Sequence, residues 1–336
     1  MAELLAVPGA SNTVLECVIP YSSESMDRFL GSAPDQYCSL KTARIMAMAA
    51  YMRARELDNK QDVYGLGCTA ALATNRQRKG SDRCFIAVQS GQSTLAVSLE
   101  LDASLNRSGQ ELQCQEKILQ VMAYAIGLTA QLEGKHSTFR HEIAPQSWQR
   151  LMRGENQSTF DETDQPRLLF PGAFNPHHEG HQQMTRLAEN MTGQSVTLEI
   201  STYNVDKMPL DFIDMSDRQQ SLGDMALVFT NAPTFEDKSK LYPGATFVVG
   251  VDTITRIADP KYYGHSEALR DEAIASLVKN RHRFLVFGRR ISETYQTLKS
   301  VNLPRRLLEI CDEVPESDFR NDISSSALRG KVTGRG

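Results

Sequence analysis

The chain has 336 residues, of which 40% are hydrophobic and 23% charged, and a formal net charge of -4. That length exceeds what one hydrophobic core ordinarily supports, so two domains are expected. The acidic balance excludes a non-specific nucleic-acid binder, which would be basic, and leaves small molecules or proteins as partners.

Six cysteines (Cys17, Cys38, Cys68, Cys84, Cys114, Cys311) are scattered without a C-x-x-C pair. Free thiols in a reducing compartment are expected from this, with neither a disulfide framework nor a zinc site. The opening "MAELLAVPGASNTV" has no basic stretch followed by a long apolar one, so no signal peptide is expected. No apolar run approaches the roughly 18 residues of a membrane span, and a cytoplasmic location follows as the expectation. The N-x-S/T triplets at Asn106, Asn156 and Asn190 then count as chance matches.

In chain order, "SLKTARIMAMAAYMRAREL" is rich in helix formers and free of Gly and Pro, which predicts a helix. "CFIAVQSGQSTLAVSLEL" predicts two strands around a Gly-containing turn, with Leu95, Val97, Leu99 and Leu101 on one buried face. A long helix over about 109–132 follows, its apolar positions Leu112, Ile118, Val121, Met122 and Ile126 largely on one side. Together these predict an α+β domain over residues 1–132. Residues 133–165 are polar apart from Trp148 and a few neighbours, and are expected to be an interdomain linker with at most one short helix.

From 166 to 336, short apolar runs alternate with helical stretches. "RLLF", "VTLEIS", "TFVVGV" and "FLVFG" predict strands. A stretch from Glu179 to Asn190, "DRQQSLGDMALVF" and "SEALRDEAIASLVKNR" predict helices. Such alternation implies an α/β domain with a parallel sheet, whose ligands bind beyond the carboxyl ends of the strands.

"PGAFNPHHEGH" lies there, between the first strand and the first helix, and holds three of the chain's seven histidines. Gly172 permits a tight turn and Pro176 stiffens the loop. With a helix starting near His178 or Glu179, His178 and His181 fall on one face of its first turn. Imidazoles beside free backbone N–H groups and the positive helix end form an anion site. Gly180 leaves room for a nucleotide against the helix. The plain alternative is a polar loop with exposed or capping histidines.

These residues resemble the nucleotidylyltransferase superfamily, whose hallmark is G-x-F-[N/D]-P-x-H-x-G-H. Gly172, Phe174, Asn175, Pro176, His178, Gly180 and His181 match it, Ala173 is an allowed small residue, and His177 occupies a variable position. "ISSSALR" near the C-terminus is similar to the family's I-S-S-T-x-I-R, with Ser326 for Thr and Leu328 for Ile. By this resemblance Ser324, Ser325 and Arg329 would bind the leaving pyrophosphate. Between the two motifs, Lys207 and Arg218 stand where nicotinate- and nicotinamide-nucleotide adenylyltransferases direct charge at the acceptor phosphate. Gly250 and Asp252 in "VVGVDT", and Arg289 in "FLVFGRR", resemble further nucleotide-binding turns. Taken alone, Lys207 and Arg218 read equally as solvated charges, and Asp252 as a helix cap. His265 and His282 have no partner in sequence and are expected to be structural or surface residues.

The resemblance implies a Rossmann-like C-terminal domain moving AMP from ATP to nicotinamide (or nicotinate) mononucleotide, with Mg²⁺ carried on the ATP phosphates. A non-catalytic nucleotide-binding or regulatory protein, another acceptor, and CTP as donor are the alternatives.

Residues 4 to about 128 resemble the C-terminal domain of CinA-type nicotinamide-nucleotide amidohydrolases, through "LLAVPGASNTVLECVIPYSSESMDRFLG", "KTARIMAMAAYMRAREL" and "GLGCTAALATNRQRKGSDRCFIAV". Thr69 matches, but Met26 replaces the family's activating lysine, and a thioether cannot move a proton. The Gly-rich loop has become "AALATNRQ", and the family's E-S-C-T-G-G serine would lie before Glu3. Tyr21 and Thr69 would gain consequence in a form with a longer start. A degenerate amidohydrolase serving packing, regulation or homo-oligomerisation is expected here, rather than an active one.

Overall fold

In a computed structural model, residues 2–59, 62–75, 80–132, 134, 136–160, 165–203, 208–291 and 294–320 are described. The chain forms two units: Met1–Arg153 with Asn204–Ser216, and Gly154–Tyr203 with Asp217–Gly336.

The first unit is built on an antiparallel sheet of β1 (Tyr64–Ala71), β2 (Arg83–Ser90), β3 (Ser93–Glu100) and β4 (Ser137–Ile143), in that order. Short helices α1 (Ala2–Leu5) and α2 (Ser23–Leu30) precede α3 (Leu40–Leu57), whose first turn Ser39 caps by accepting from the Thr42 N–H. Helix α3 lies close on one face because β1 offers glycines there. A Cβ on Gly65 or Gly67 would come within 2.1 Å of the Ala47 or Ala43 carbonyl oxygen. The opposite face carries Ile86, Val88, Leu95 and Val97, packed against Cys114 and Val121 of α4 (Arg107–Ala125). The face expected from Leu95, Val97, Leu99 and Leu101 is therefore present. Of the apolar positions expected on one side of α4, however, Leu112 and Ile126 are exposed.

The polar stretch 133–165 is not simply a linker. Residues 137–143 form β4, and α5 (Gln146–Met152) buries Trp148, Leu151 and Met152. Strand β4 lies at the sheet edge and keeps Phe139 and Ile143 exposed, so backbone pairing with β3 holds it without apolar alternation. The first unit therefore runs to Arg153 and takes in 204–216 as well. That second piece is held by Arg44 of α3, whose guanidinium donates to Asp211 (Nε–Oδ2 2.7 Å) and Asp214 (2.7 Å).

"DRQQSLGDMALVF" also departs from the single helix expected of it. Helix α7 (Phe212–Leu222) gives way at Gly223, in the left-handed region at φ 60°, to the strand β7 (Leu227–Thr230).

The second unit has a parallel sheet of β5 (Leu168–Pro171), β6 (Val196–Ser201), β7, β8 (Thr246–Gly250), β9 (Arg283–Phe287) and β12 (Cys311–Val314). Counting only the strands of this sheet, the order is 3-2-1-4-5-6, the doubly wound arrangement of a Rossmann-like fold. Helices α6 (Glu179–Thr192), α8 (Phe235–Leu241), α9 (Val251–Ala258), α10 (Glu267–Lys279) and α11 (Arg305–Leu308) connect the strands, and β10 (Arg289–Ile291) and β11 (Thr294–Gln296) form a hairpin after β9. Leu169, Phe247, Val249, Phe284 and Val286 pack with Ile254, Ile257, Ile274 and Leu277 into one core. Beneath it, His282 is buried between two carbonyl oxygens, of Ala245 (3.0 Å from Nδ1) and Ser239 (3.2 Å from Nε2), and so serves structure. Among the described residues, no helix is long and apolar enough to cross a membrane.

Candidate nucleotide site at the switch point of the parallel sheet

The strand order reverses between β5 and β8, and the loops leaving the carboxyl ends of these two strands stand where doubly wound sheets bind ligands. "GAFNPHH" leaves β5 there and Gly250 leaves β8.

Gly172 extends the sheet for one residue, its N–H donating to the Glu199 carbonyl at 2.9 Å. The chain then folds back, with Phe174 at φ 44° and buried. Its ring covers Gly172 so closely that a Cβ there would lie 2.8 Å from Cζ. The same ring meets Phe170 edge-on at 5.2 Å and His181 at 5.0 Å. Phe174 is thus the floor on which the imidazoles rest, which explains why a glycine and a phenylalanine occur two residues apart. Ala173 and Asn175 are exposed, the Asn175–Pro176 peptide is cis, and Gly180 is buried in the first turn of α6.

His178 is the N-cap of α6. Its ring stacks on that of His181 at 3.7 Å between centroids, and its backbone N–H donates to His181 Nδ1 at 3.3 Å. His181 Nδ1 is therefore an acceptor, which places the proton of its neutral form on Nε2. His177, a variable position in the motif, is part of the same cluster: its ring stacks on His181 at 5.4 Å and 12°. Among the described residues, His178 Nδ1 and His177 Nε2 are buried without a hydrogen-bond partner. The motif placed only His178 and His181 at the site; the adjacency of His177 to His178 was the one further signal.

Burial is the main influence on all three imidazoles and lowers their proton affinity. His181 is pushed down to about 3 by burial, then by His178, His177 and Arg289. His178 is lowered by burial and by His177 and Arg289, and His177 by burial alone. At neutral pH the cluster is therefore uncharged and offers N–H donors, with the positive end of α6 beside it.

Arg289 supplies the fixed positive charge. Its Nη1 donates to Asp252 Oδ2 at 2.8 Å, and Asp252 folds back over Gly250, where a Cβ would lie 2.5 Å from Oδ1. Asp252 pairs with Arg289 instead of capping α9, whose N-cap Gly250 makes no side-chain cap. Arg218 donates from Nη1 to the Ala173 carbonyl at 3.2 Å, bracing the loop. Lys207, Ser324, Ser325 and Arg329 lie outside the described residues.

Residues 169–331 match a family described as Cytidylyltransferase-like. That match supports nucleotidyltransferase chemistry for the C-terminal region, in agreement with the parallel sheet and with the loop between its first strand and first helix. No curated protein matches the chain. Among the described residues no group of three His, Cys, Asp or Glu side chains could hold a metal ion. Among the described residues, the imidazoles and Arg289 offer N–H groups suited to phosphate oxygens, and the Asp252 carboxylate is paired with Arg289.

Proposed function

We propose that the C-terminal unit transfers AMP from ATP to nicotinamide (or nicotinate) mononucleotide and releases pyrophosphate. The stacked His178 and His181 on the first turn of α6, at the switch point of the sheet, carry this proposal. The acceptor phosphate would attack the α-phosphorus in line. His178 and His181 would donate hydrogen bonds to the α-phosphate oxygens, from Nε2 in the case of His181. Such donors stabilise the charge gathering on the five-coordinate phosphorus without a covalent intermediate. Arg289, with Ser324, Ser325 and Arg329, would hold the departing phosphates, and Lys207 and Arg218 are the candidates for the acceptor phosphate. Mg²⁺ would arrive with the triphosphate, where it neutralises charge on the leaving group. The choice of AMP and of a pyridine mononucleotide rests on resemblance in the sequence, to which the resemblance of residues 4 to about 128 to CinA-type amidohydrolases adds by association.

The test is pyrophosphate release from Mg-ATP and from Mg-CTP with a panel of phosphorylated acceptors. Release with ATP and nicotinamide mononucleotide, lost in His181→Ala, supports the proposal. Release with CTP alone would move the donor assignment, and nucleotide binding without turnover on any acceptor would leave a binding protein. Ammonia release from nicotinamide mononucleotide would instead point to the N-terminal unit as an active amidohydrolase.

A further inference from the structure

The antiparallel sheet of the first unit ends at β4, and among the described residues no strand pairs with the outer side of β4. All 7 residues of this strand pair with β3 in unbroken register, with no bulge and no proline to spoil a further pairing. The Ala144 N–H donates to the Gln92 carbonyl at one end, and the Glu100 N–H to the His136 carbonyl at the other, both at 3.0 Å. Even-numbered residues of β4 therefore turn their backbone groups towards β3. The N–H and C=O groups of Ser137, Phe139, His141 and Ile143 point out of the sheet. Beside this row of donors and acceptors, Phe139 and Ile143 are 49% and 69% exposed. The two charges of the strand, Arg140 and Glu142, are of opposite sign, so they do not repel a copy of the same strand.

We infer that this edge joins two copies of the chain, β4 running antiparallel to β4 of the second copy about a two-fold axis at His141. Read from Phe139 to Ile143, the strand is apolar, basic, histidine, acidic, apolar, a pattern that complements itself when reversed. In this register His141 faces His141 of the second copy and exchanges both backbone bonds with it, as the outward groups of odd-numbered residues require. Phe139 lies opposite Ile143 of the second copy, which covers both exposed side chains. Arg140 lies opposite Glu142 of the second copy, in the pairs that lack backbone bonds and bring side chains closest. Registers centred one residue away set two arginines or two glutamates against each other, and those centred two away match neither charge. Within one chain Arg140 Nη2 donates to Glu142 Oε2 at 3.0 Å, and the axis turns this pair into a network of four charges. Because one patch meets itself, the contact closes at two copies and does not propagate into a fibre.

The mass of the full chain is measured by sedimentation over a dilution series, and hydrogen exchange of the segment 137–143 is followed at each concentration. A dimer is expected, with exchange in that segment slowing as it forms. Arg140→Glu turns two attractive pairs into two repulsive ones and is expected to weaken the dimer at least about tenfold, as is Glu142→Arg. Arg140→Glu combined with Glu142→Arg restores opposite charges in every pair and is expected to recover most of the lost affinity. A wild-type chain that stays monomeric throughout the series overturns the inference. So does a dimer in which the segment 137–143 exchanges as fast as in the monomer. A dimer indifferent to both single reversals, or a folded double variant no better than the single ones, overturns the register. The exchange measurement needs no variant, so it decides the interface even where a charge reversal disturbs folding.

Discussion

His178 and His181 are joined twice: their rings stack at 3.7 Å, and the His178 backbone N–H donates to His181 Nδ1 at 3.3 Å. The second link fixes the tautomer of the first. With Nδ1 engaged as acceptor, neutral His181 has one N–H to give, on Nε2. Replacing His181 by Ala removes that donor and exposes the Phe174 ring beneath it. Turnover is expected to fall by about 10²–10³-fold, the usual consequence of deleting one charge-stabilising donor. His177→Ala, which removes only the outer ring of the cluster, is expected to cost less than tenfold. Steady-state rates of pyrophosphate release rank the two.

The depressed proton affinity of His181 has a consequence for stability. An imidazole in the unfolded chain takes a proton below about 6.5, whereas folded His181 does so only at about 3. Between those values the unfolded state binds more protons, so folding stability rises with pH across that window. It is fully present above about 6.5 and is lost as pH falls towards 3. Thermal unfolding midpoints at pH 7 and pH 5 should therefore differ more in the wild-type chain than in His181→Asn, which has no proton to gain.

Gly172→Ala probes the floor of the site. The new methyl would sit 2.8 Å from Cζ of a buried ring, so either Phe174 or the loop must move. Such overpacking is expected to cost about 1–3 kcal/mol, and moving Phe174 also shifts the surface on which His181 rests. Denaturant midpoints report the first effect and nucleotide affinity the second.

His282→Ala takes the imidazole away from the Ala245 and Ser239 carbonyls, of which Ala245 keeps the Arg283 N–H at 3.4 Å, and opens a cavity next to Phe247, whose ring lies 5.3 Å from the imidazole. A loss of about 2–4 kcal/mol is expected, read as a lower unfolding midpoint of the second unit.

In the first unit, Arg44→Ala would strand two carboxylates, one of them on the deeply buried Asp211. Burial pulls Asp211 towards its protonated form, while Arg44 opposes that shift. Breaking this cluster is expected to cost about 3–5 kcal/mol, and Asp211→Asn in the Arg44→Ala background should restore part of it. Chemical denaturation of the single and double variants gives the coupling.

Short apolar strands of the second unit, such as Leu168–Pro171 and Thr246–Gly250, were legible because a parallel strand covered on both faces is apolar throughout. His178 and His181 were legible because their spacing coincides with one helical turn. Strand β4 was not: at the sheet edge it owes its place to backbone pairing, to which side-chain patterning is blind. Strand β7 was absorbed into a predicted helix because the apolar stretch after Asp224 continues that helix in composition, and only Gly223 marks the break. His177 has no fixed identity in the motif, and its role depends on how the Phe174 turn aims the ring.

The proposed nucleotidyl transfer is tested most directly by supplying Mg-ATP labelled at the α-phosphate together with nicotinamide mononucleotide, and following the label by mass spectrometry. The wild-type chain is predicted to move the label into a dinucleotide, with one pyrophosphate released per product, and His181→Ala is predicted to leave it in ATP. Label that remains in ATP with the wild-type chain, although the nucleotide binds, would contradict the proposal.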